Sequence, residues 1–322
     1  MKAIVYTKYG PPDVLQLTEV EKPIPKDHEV LVKIQAASVN YGNLVLLKGE
    51  PFLARFAFGL RKPKYSIPGG DIVGRVEAVG KDVKQFQPGD DVFGDLSGCG
   101  WGGFAEYVSV PEKALALKPA NLTFEEAAAV PMAGVTALQG LRDKGRIQPG
   151  QKVLIHGASG GVGTFAVQIA KSFGAEVTGV CSTRNIGILR SIGADQVIDY
   201  KKEDFTESTQ QYDLILAVNG SQPISAYKRA LRPNGIFVHV GGSGAQLTQA
   251  MVLGPWISMT GRKKMGSMLQ RANQKDLVYM KELLEDGKVQ PVIDRSYTLS
   301  EVPEALRYFE GGHAQGKVVI TV

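Results

Sequence analysis

VLIHGASGGVGTFAVQIAKSFGAEVTGVCSTRN, residues 153–185, is the stretch whose reading decides the fold. An apolar run from Val153 to His156 feeds a turn of very small side chains, and a helix-forming segment follows. Against the spacing G-x-G-x-x-G, Ala158, Gly160 and Gly163 take the three glycine places within Ala158-Ser159-Gly160-Gly161-Val162-Gly163. Only tiny residues permit a tight turn, close approach of backbone to a pyrophosphate, and close packing of helix on strand. Alanine in the first place departs by one methyl group. Val162, Ala166, Ile169, Ala170 and Phe173 fall on one helical face, so the helix is expected to lie on a sheet. Its N-terminus then offers free N–H groups and the positive dipole end to phosphates. A structural glycine turn is the plainer alternative; a strand before it and a sheet-packing helix after it favour a dinucleotide.

The next strand, Glu176 to Val180, runs into Cys181-Ser182-Thr183-Arg184-Asn185. A site selective for NAD ends this strand in Asp or Glu, which accepts hydrogen bonds from the ribose hydroxyls. Here Ser182 and Arg184 offer a hydroxyl and a cation to a 2′-phosphate, which a carboxylate would repel. Arg184 as a surface residue opening the next helix is the alternative. NADPH is the expected cofactor.

Working outward, strands and helices alternate: EVTGVCS, a helix through ILRSIGA, DQVIDY, YDLILAVN, a helix through YKRAL, then GIFVHVGG. This alternation implies a doubly wound parallel sheet with right-handed crossovers. Thr123 to Glu126 reads as a capping box opening a helix that Pro131 interrupts. Residues before Leu122 read as short strands broken by Gly and Pro, a β-rich and partly closed sheet domain. After Gly261 come a helix through DLVYMKELLEDGK, a short strand, a last helix and KVVITV, which is expected to return to the first domain. The expected fold is thus α/β. Residues 1–122 with 266–322 form a discontinuous β-rich domain, and 123–265 form the dinucleotide-binding domain.

The 322 residues suit two domains, and 43% hydrophobic with 21% charged residues is a globular composition. Two cysteines, Cys99 and Cys181, are too few for a disulfide framework or a four-thiolate zinc site. No window approaches ~18 uninterrupted apolar residues, and the N-terminal MKAIVYTKYG lacks the long apolar core of a secretory signal. A cytoplasmic protein is expected. The +5 charge is dispersed. Its densest cluster, Arg262-Lys263-Lys264, lacks the breadth and interleaved aromatics of a nucleic-acid surface, so no nucleic-acid partner is expected.

GGDIVGRVEAVGKDV in the first domain matches G-H-E-x-x-G-x5-G-x2-V at Gly69, Gly74, Gly80 and Val83, and AVPMAGVTAL precedes the ASGGVG turn. With these motifs the chain resembles the medium-chain dehydrogenase/reductase superfamily, and within it the zinc-independent quinone oxidoreductases, over essentially its whole length. The resemblance implies a GroES-like catalytic domain beside the Rossmann domain. Where zinc-dependent members carry the ligand histidine of G-H-E, this chain has Gly70, then Asp71; where they carry C-x-x-D it has Asn40-Tyr41-Gly42-Asn43. No metal is expected, since zinc wants thiolate and imidazole ligands.

The reaction so implied is hydride transfer from NADPH to a quinone or α,β-unsaturated carbonyl, with hydrogen bonds holding the resulting anion. By resemblance Asn40 positions substrate and donates to the oxyanion. Tyr41 is either a phenol proton donor or a packed aromatic. Thr136 meets the nicotinamide end, Tyr200 lies near the adenosine phosphate, Asn219 and Gly241 close over adenine and nicotinamide, and His313 lies near the 2′-phosphate or is a surface-loop residue. His28, His156 and His239 lack a catalytic pattern. Gly49 to Pro63, with Phe52, Phe56 and Phe58, is expected to be a loop: either an aromatic lid over lipid-derived enones, as in chloroplast-envelope relatives, or ordinary packing. A homodimer is expected. The competing readings are a non-catalytic NADPH-binding sensor, crystallin-like or RNA-associated protein, and a ketone or alcohol oxidoreductase, which the missing zinc ligands oppose.

Overall fold

The computed structural model describes residues 1–220, 222–241, 258–259 and 262–322. The chain divides into two compact units. The first comprises Met1–Val135, Arg271–Asp286 and Pro291–Val322; the second comprises Thr136–Gln270 and Gly287–Gln290.

The first unit is built on a sheet in the order β14-β15-β3-β4-β5-β7, with β6 pairing β3. Its strands are β3 (Glu29–Val39), β4 (Asp71–Val79), β5 (Asp91–Asp95), β6 (Tyr107–Pro111), β7 (Leu115–Leu117), β14 (Ile293–Thr298) and β15 (Lys317–Thr321). A hairpin of β1 (Lys2–Val5) and β2 (Gln16–Glu19) stands apart. The final strand runs antiparallel to β3, with Val318 opposite Val39, so the C-terminal residues close the N-terminal sheet. Alternate residues of β3 and β4 bury Val30, Val32, Ile34, Ile72 and Val76 in one core. A second core gathers Tyr6, Leu46, Trp101, Phe104, Leu306 and Ile320.

The helices of this unit are α1 (Tyr41–Lys48), α2 (Arg55–Phe58), α3 (Phe124–Ala128), the start of α4 (Pro131–Leu138), α8 (Gln274–Glu285) and α9 (Val302–Glu310). The capping box at α3 forms, with Glu126 N donating to Thr123 Oγ1 at 3.2 Å and Thr123 N to Glu126 Oε2 at 2.9 Å. Pro131 opens α4, where its missing N–H costs nothing. Because α3 lies on β3 and β4, the first unit extends to Val135, past the residue-122 boundary. Within the segment expected to be a loop, α2 and a 3-10 turn at Phe52–Ala54 form instead. Phe52 and Phe56 meet edge to face at 6.1 Å and stay exposed, while Phe58 packs edge-on against Trp101 at 6.2 Å.

The second unit is a six-stranded parallel sheet in the order β10-β9-β8-β11-β12-β13. The strands are β8 (Lys152–His156), β9 (Glu176–Cys181), β10 (Gln196–Asp199), β11 (Tyr212–Ala217), β12 (Leu231–His239) and β13 (Lys264–Ser267). The connections include α5 (Gly161–Ser172), α6 (Ile186–Ser191) and α7 (Ile224–Ala230). Strand order reverses between β8 and β11, the switch point at whose carboxyl end open α/β sheets bind ligands. In α5, Ala166, Ile169 and Ala170 are buried as expected, but so are Phe165 and Val167. The helix covers the sheet on one side and a π-helical turn, Gln139–Lys144, on another. Gly242, the last residue of the expected strand GIFVHVGG, lies outside the described residues.

Candidate functional site

The turn between β8 and α5 has the geometry of a dinucleotide cradle. Gly157 takes the left-handed conformation, φ +81°, so the tight turn rests on Gly157 and not on Ala158, whose N–H donates to Val180 O at 3.1 Å. A Cβ on Gly163 would lie 2.2 Å from Gly157 O and 2.7 Å from Ala158, so helix and strand close together only over a glycine. Among the described residues beyond its chain neighbours, a Cβ on Gly160 would meet only Gly157 O, at 3.7 Å, which leaves room for a ligand above the N-terminus of α5. That N-terminus has no side-chain cap, so its first-turn N–H groups are left for an external acceptor. A dinucleotide pyrophosphate fits these features.

The neighbouring strand ends converge on the same point. A Cβ on Gly157 would lie 3.0 Å from Asn219 N, and Val218 N donates to His156 O at 2.9 Å, so Asn219 stands beside the turn. Gly241, at φ +73°, lies two residues past the end of β12, and a Cβ there would approach Val218 O to 3.2 Å. Ser182 is buried at the end of β9, with Arg184 exposed just beyond it. Tyr200 is exposed, its N–H donating to Cys181 O at 3.0 Å. A carboxylate does stand at this corner: Asp199 at the end of β10, accepting from Thr183 Oγ1 at 2.6 Å and Lys201 N at 3.1 Å. Those bonds hold its carboxyl pKa below the usual carboxylate range and turn it into its own loop. At this corner sequence reasoning missed Asn185, whose Nδ2 donates to Ser159 Oγ at 2.8 Å and Ser182 Oγ at 3.3 Å, tying the glycine-rich turn to the loop after β9.

In the first unit, Asn40 closes β3 and opens α1, its backbone N–H donating to Asn43 Oδ1 at 2.7 Å. The Asn40 side chain sits in a buried polar cluster. Nδ2 donates to Asp71 Oδ2 at 2.8 Å, and Oδ1 accepts from Lys317 Nζ at 2.5 Å. Asp71 also accepts from Ser38 Oγ at 2.7 Å and Met132 N at 2.9 Å, and Lys317 Nζ lies 3.5 Å from Asp71 Oδ2. Burial pushes Lys317 below the ordinary lysine range, against the pull of Asp71 toward the charged form. Asp71 and Lys317 were not singled out from the sequence. The available signal was a lysine heading the apolar strand VVITV, where a cation needs a carboxylate partner.

This corner does not suit zinc. A Cβ at Gly70, from which a histidine would project, would lie 2.9 Å from Met132 Cε and 3.2 Å from Trp101 Cζ3, so a thioether and an indole fill that space. The charged groups here are the Lys317 ammonium, Asp71 and, opposite Asp71 on β5, the buried Asp95; the set has neither thiolate nor imidazole, and the ammonium repels a divalent ion. Among the described residues no three or more His, Cys, Asp or Glu side chains gather in one place. Burial raises the Cys99 and Cys181 thiols to about 11, far from the thiolate that a metal requires.

The other residues singled out from the sequence are placed as follows. Tyr41 is exposed at the first position of α1. Thr136 is buried in α4, and His313 is exposed in the loop after α9. His156 Nδ1 and the Tyr227 hydroxyl share a buried hydrogen bond of 2.8 Å, and burial lowers this histidine to about 4. His239 is buried beside the Phe237 ring, and His28 is exposed. Lys263 donates to Lys228 O at 2.7 Å, which ties part of the basic cluster to the chain's own backbone.

Residues 26–120 match the alcohol dehydrogenase GroES-like domain, and residues 192–320 match a domain family described as zinc-binding dehydrogenase. The chain is 36% identical over 335 residues to a chloroplastic quinone oxidoreductase of Triphysaria versicolor, covering 99% of this chain and 98% of that one. It is 38% identical over 331 residues to a 2-methylene-furan-3-one reductase of Solanum lycopersicum, covering 99% and 79%. The solved quinone oxidoreductase of Coxiella burnetii superposes with a TM-score of 0.88 at 32% identity, covering 100% and 99%. Relatives this similar over this length, with a corner where thioether and indole replace a zinc ligand, place the chain in the zinc-independent quinone oxidoreductase family of the medium-chain dehydrogenases/reductases.

Proposed function

We propose that the protein is an NADPH-dependent oxidoreductase that reduces quinones or α,β-unsaturated carbonyl compounds, with Asn40 as the donor to the substrate oxygen. The observation that carries this reading is the Asn40 carboxamide, buried beside Asp71 and Lys317 in a corner whose metal-ligand space is filled. A bound reduced nicotinamide supplies a hydride to the electron-poor carbon of the acceptor. As that C–H bond forms, the displaced π pair moves onto the acceptor oxygen, and an Asn40 N–H holds the developing anion. Solvent then supplies the proton that gives the saturated carbonyl or hydroquinone. An enone or quinone spreads this charge by conjugation, so a hydrogen bond suffices where a simple ketone would call for a Lewis acid.

The turn at 157–163 is the proposed seat of the pyrophosphate, with Asn219 and Gly241 at its flank and Thr136 toward the nicotinamide. Ser182, Arg184 and Tyr200 support NADPH over NADH, and His313 is a further proposed contact to the 2′-phosphate. The exposed Phe52 and Phe56 suit a lid over apolar, lipid-derived acceptors. A cytoplasmic homodimer is the proposed state, consistent with free cysteines and with described helices none of which is long and apolar enough to cross a membrane. The test is NADPH oxidation with quinones and with short- and long-chain enones, NADH run in parallel, before and after chelation. Turnover with NADPH that survives chelation supports the reading. Tight NADPH binding without turnover on any acceptor would instead point to a sensor or structural protein.

A further inference from the structure

The polar cluster of the first unit settles which way the Asn40 carboxamide faces. Lysine has donors and no acceptor, and a carboxylate has only acceptors. The amide atom against Lys317 Nζ at 2.5 Å is therefore the oxygen, and the atom against Asp71 Oδ2 at 2.8 Å is the nitrogen. Asp71 is in turn fixed by Ser38 Oγ and Met132 N, and Lys317 by a second bond to Val39 O at 3.2 Å. Of the two Nδ2 hydrogens, one is spent on Asp71. Among the described residues the other has only Ser38 Oγ, at 3.5 Å, the outer limit of a hydrogen bond. Asn40 remains 7% exposed, whereas Asp71 is fully buried and Lys317 3% exposed.

We propose that Lys317, paired with Asp71, is a positioning residue for the reduction: it locks and polarises the Asn40 carboxamide so that an N–H, never the carbonyl oxygen, is presented to the acceptor. This rests on Asn40 being the substrate donor. An ammonium donating to Oδ1 withdraws electron density through the conjugated amide and strengthens the N–H as a donor. The ammonium thus acts on the amide oxygen without a metal ion, while Asp71 balances its charge.

The experiment compares Asn40→Ala, Lys317→Met and the double variant by kcat and KM with one enone, NADPH binding being followed by fluorescence and folding by thermal melting. Lys317→Met strands the buried Asp71 carboxylate. The neutral pair Lys317→Met/Asp71→Asn, alone and in the Asn40→Ala background, keeps the test open if the single variant does not fold. Loss of positioning lowers kcat roughly 10- to 100-fold while leaving NADPH binding unchanged. Because Lys317 acts through Asn40, its replacement produces little further loss once Asn40 is alanine. Independent, multiplying losses would overturn the proposal and make Lys317 a stability residue only. An unchanged kcat in Lys317→Met or the neutral pair would also overturn it. An unchanged kcat in Asn40→Ala would remove instead the reading of Asn40 on which the proposal stands.

Discussion

Two glycines three residues apart separate the roles of fold and ligand in the β8–α5 turn. Gly160 sits at φ −82° and ψ 176°, a conformation open to any residue, and among the described residues beyond its chain neighbours an added Cβ has no atom closer than 3.7 Å. Gly160→Ala is therefore expected to fold, losing at most about 1 kcal/mol for a poorer helix N-cap. The methyl stands instead in the space above the helix N-terminus, where the pyrophosphate approaches. Pushing the phosphate back by a methyl radius weakens several N–H contacts at once, and a loss of about 1.4–3 kcal/mol, tenfold or more in Kd, follows. Gly163→Ala behaves in the opposite order. Its Cβ would sit 2.2 Å from a backbone oxygen, so strand and helix must separate. Overpacking of this kind costs about 1–3 kcal/mol, or roughly 3–10 °C in a domain of this size. The assay is thermal melting without ligand, paired with fluorescence titration of NADPH and NADH. A Gly160→Ala protein that binds both dinucleotides as tightly as the parent would refute the cradle. A Gly163→Ala protein with an unchanged melting temperature would refute the packing argument.

Further outcomes follow from other parts of the chain. Arg184→Gln is expected to raise the Kd for NADPH by about tenfold, the worth of one charge-assisted contact, and to leave that for NADH unchanged; equal effects on both would remove Arg184 from the 2′-phosphate. His156, held down to about 4, stays neutral in the folded chain while the unfolded imidazole takes a proton below about 6.5. Stability therefore falls as pH drops through 6.5 toward 4, by about 2 kcal/mol between pH 7 and pH 5. Urea midpoints at those two pH values should show that loss, reduced in His156→Gln, and an unreduced loss would assign it elsewhere. Gly70→Ala presses on Met132 Cε and Trp101 Cζ3 and should cost about 1–2 kcal/mol. Gly70→His should acquire no zinc, and stoichiometric metal by elemental analysis would contradict the filled-space argument.

The dinucleotide turn was legible because its signal is local. A strand, a run of small residues and a helix are contiguous in the chain, and the need for glycine at 163 follows from one backbone crossing. Even there the turn-forming residue was misplaced by one, because matching the G-x-G-x-x-G spacing put Ala158 in the first glycine place while the positive φ falls on Gly157. The capping box at Thr123 and the alternation of strand and helix were equally local. The short helix α2 was missed because Arg55–Phe58 has barely one turn of pattern.

The amino-acid sequence by itself determined the α/β class, the six-stranded order's starting motif, the loss of the zinc ligands and Asn40 as a residue of interest. Only the tertiary structure decided what surrounds Asn40. Asp71 lies 31 residues away and Lys317 lies 277 residues away along the chain, and they meet it because β15 returns to pair with β3 beside β4. A lysine and an aspartate so far apart are ordinary charged residues in a one-dimensional string. Antiparallel pairing and burial turn them into one hydrogen-bonded unit, because neither charge can remain in that interior without the other.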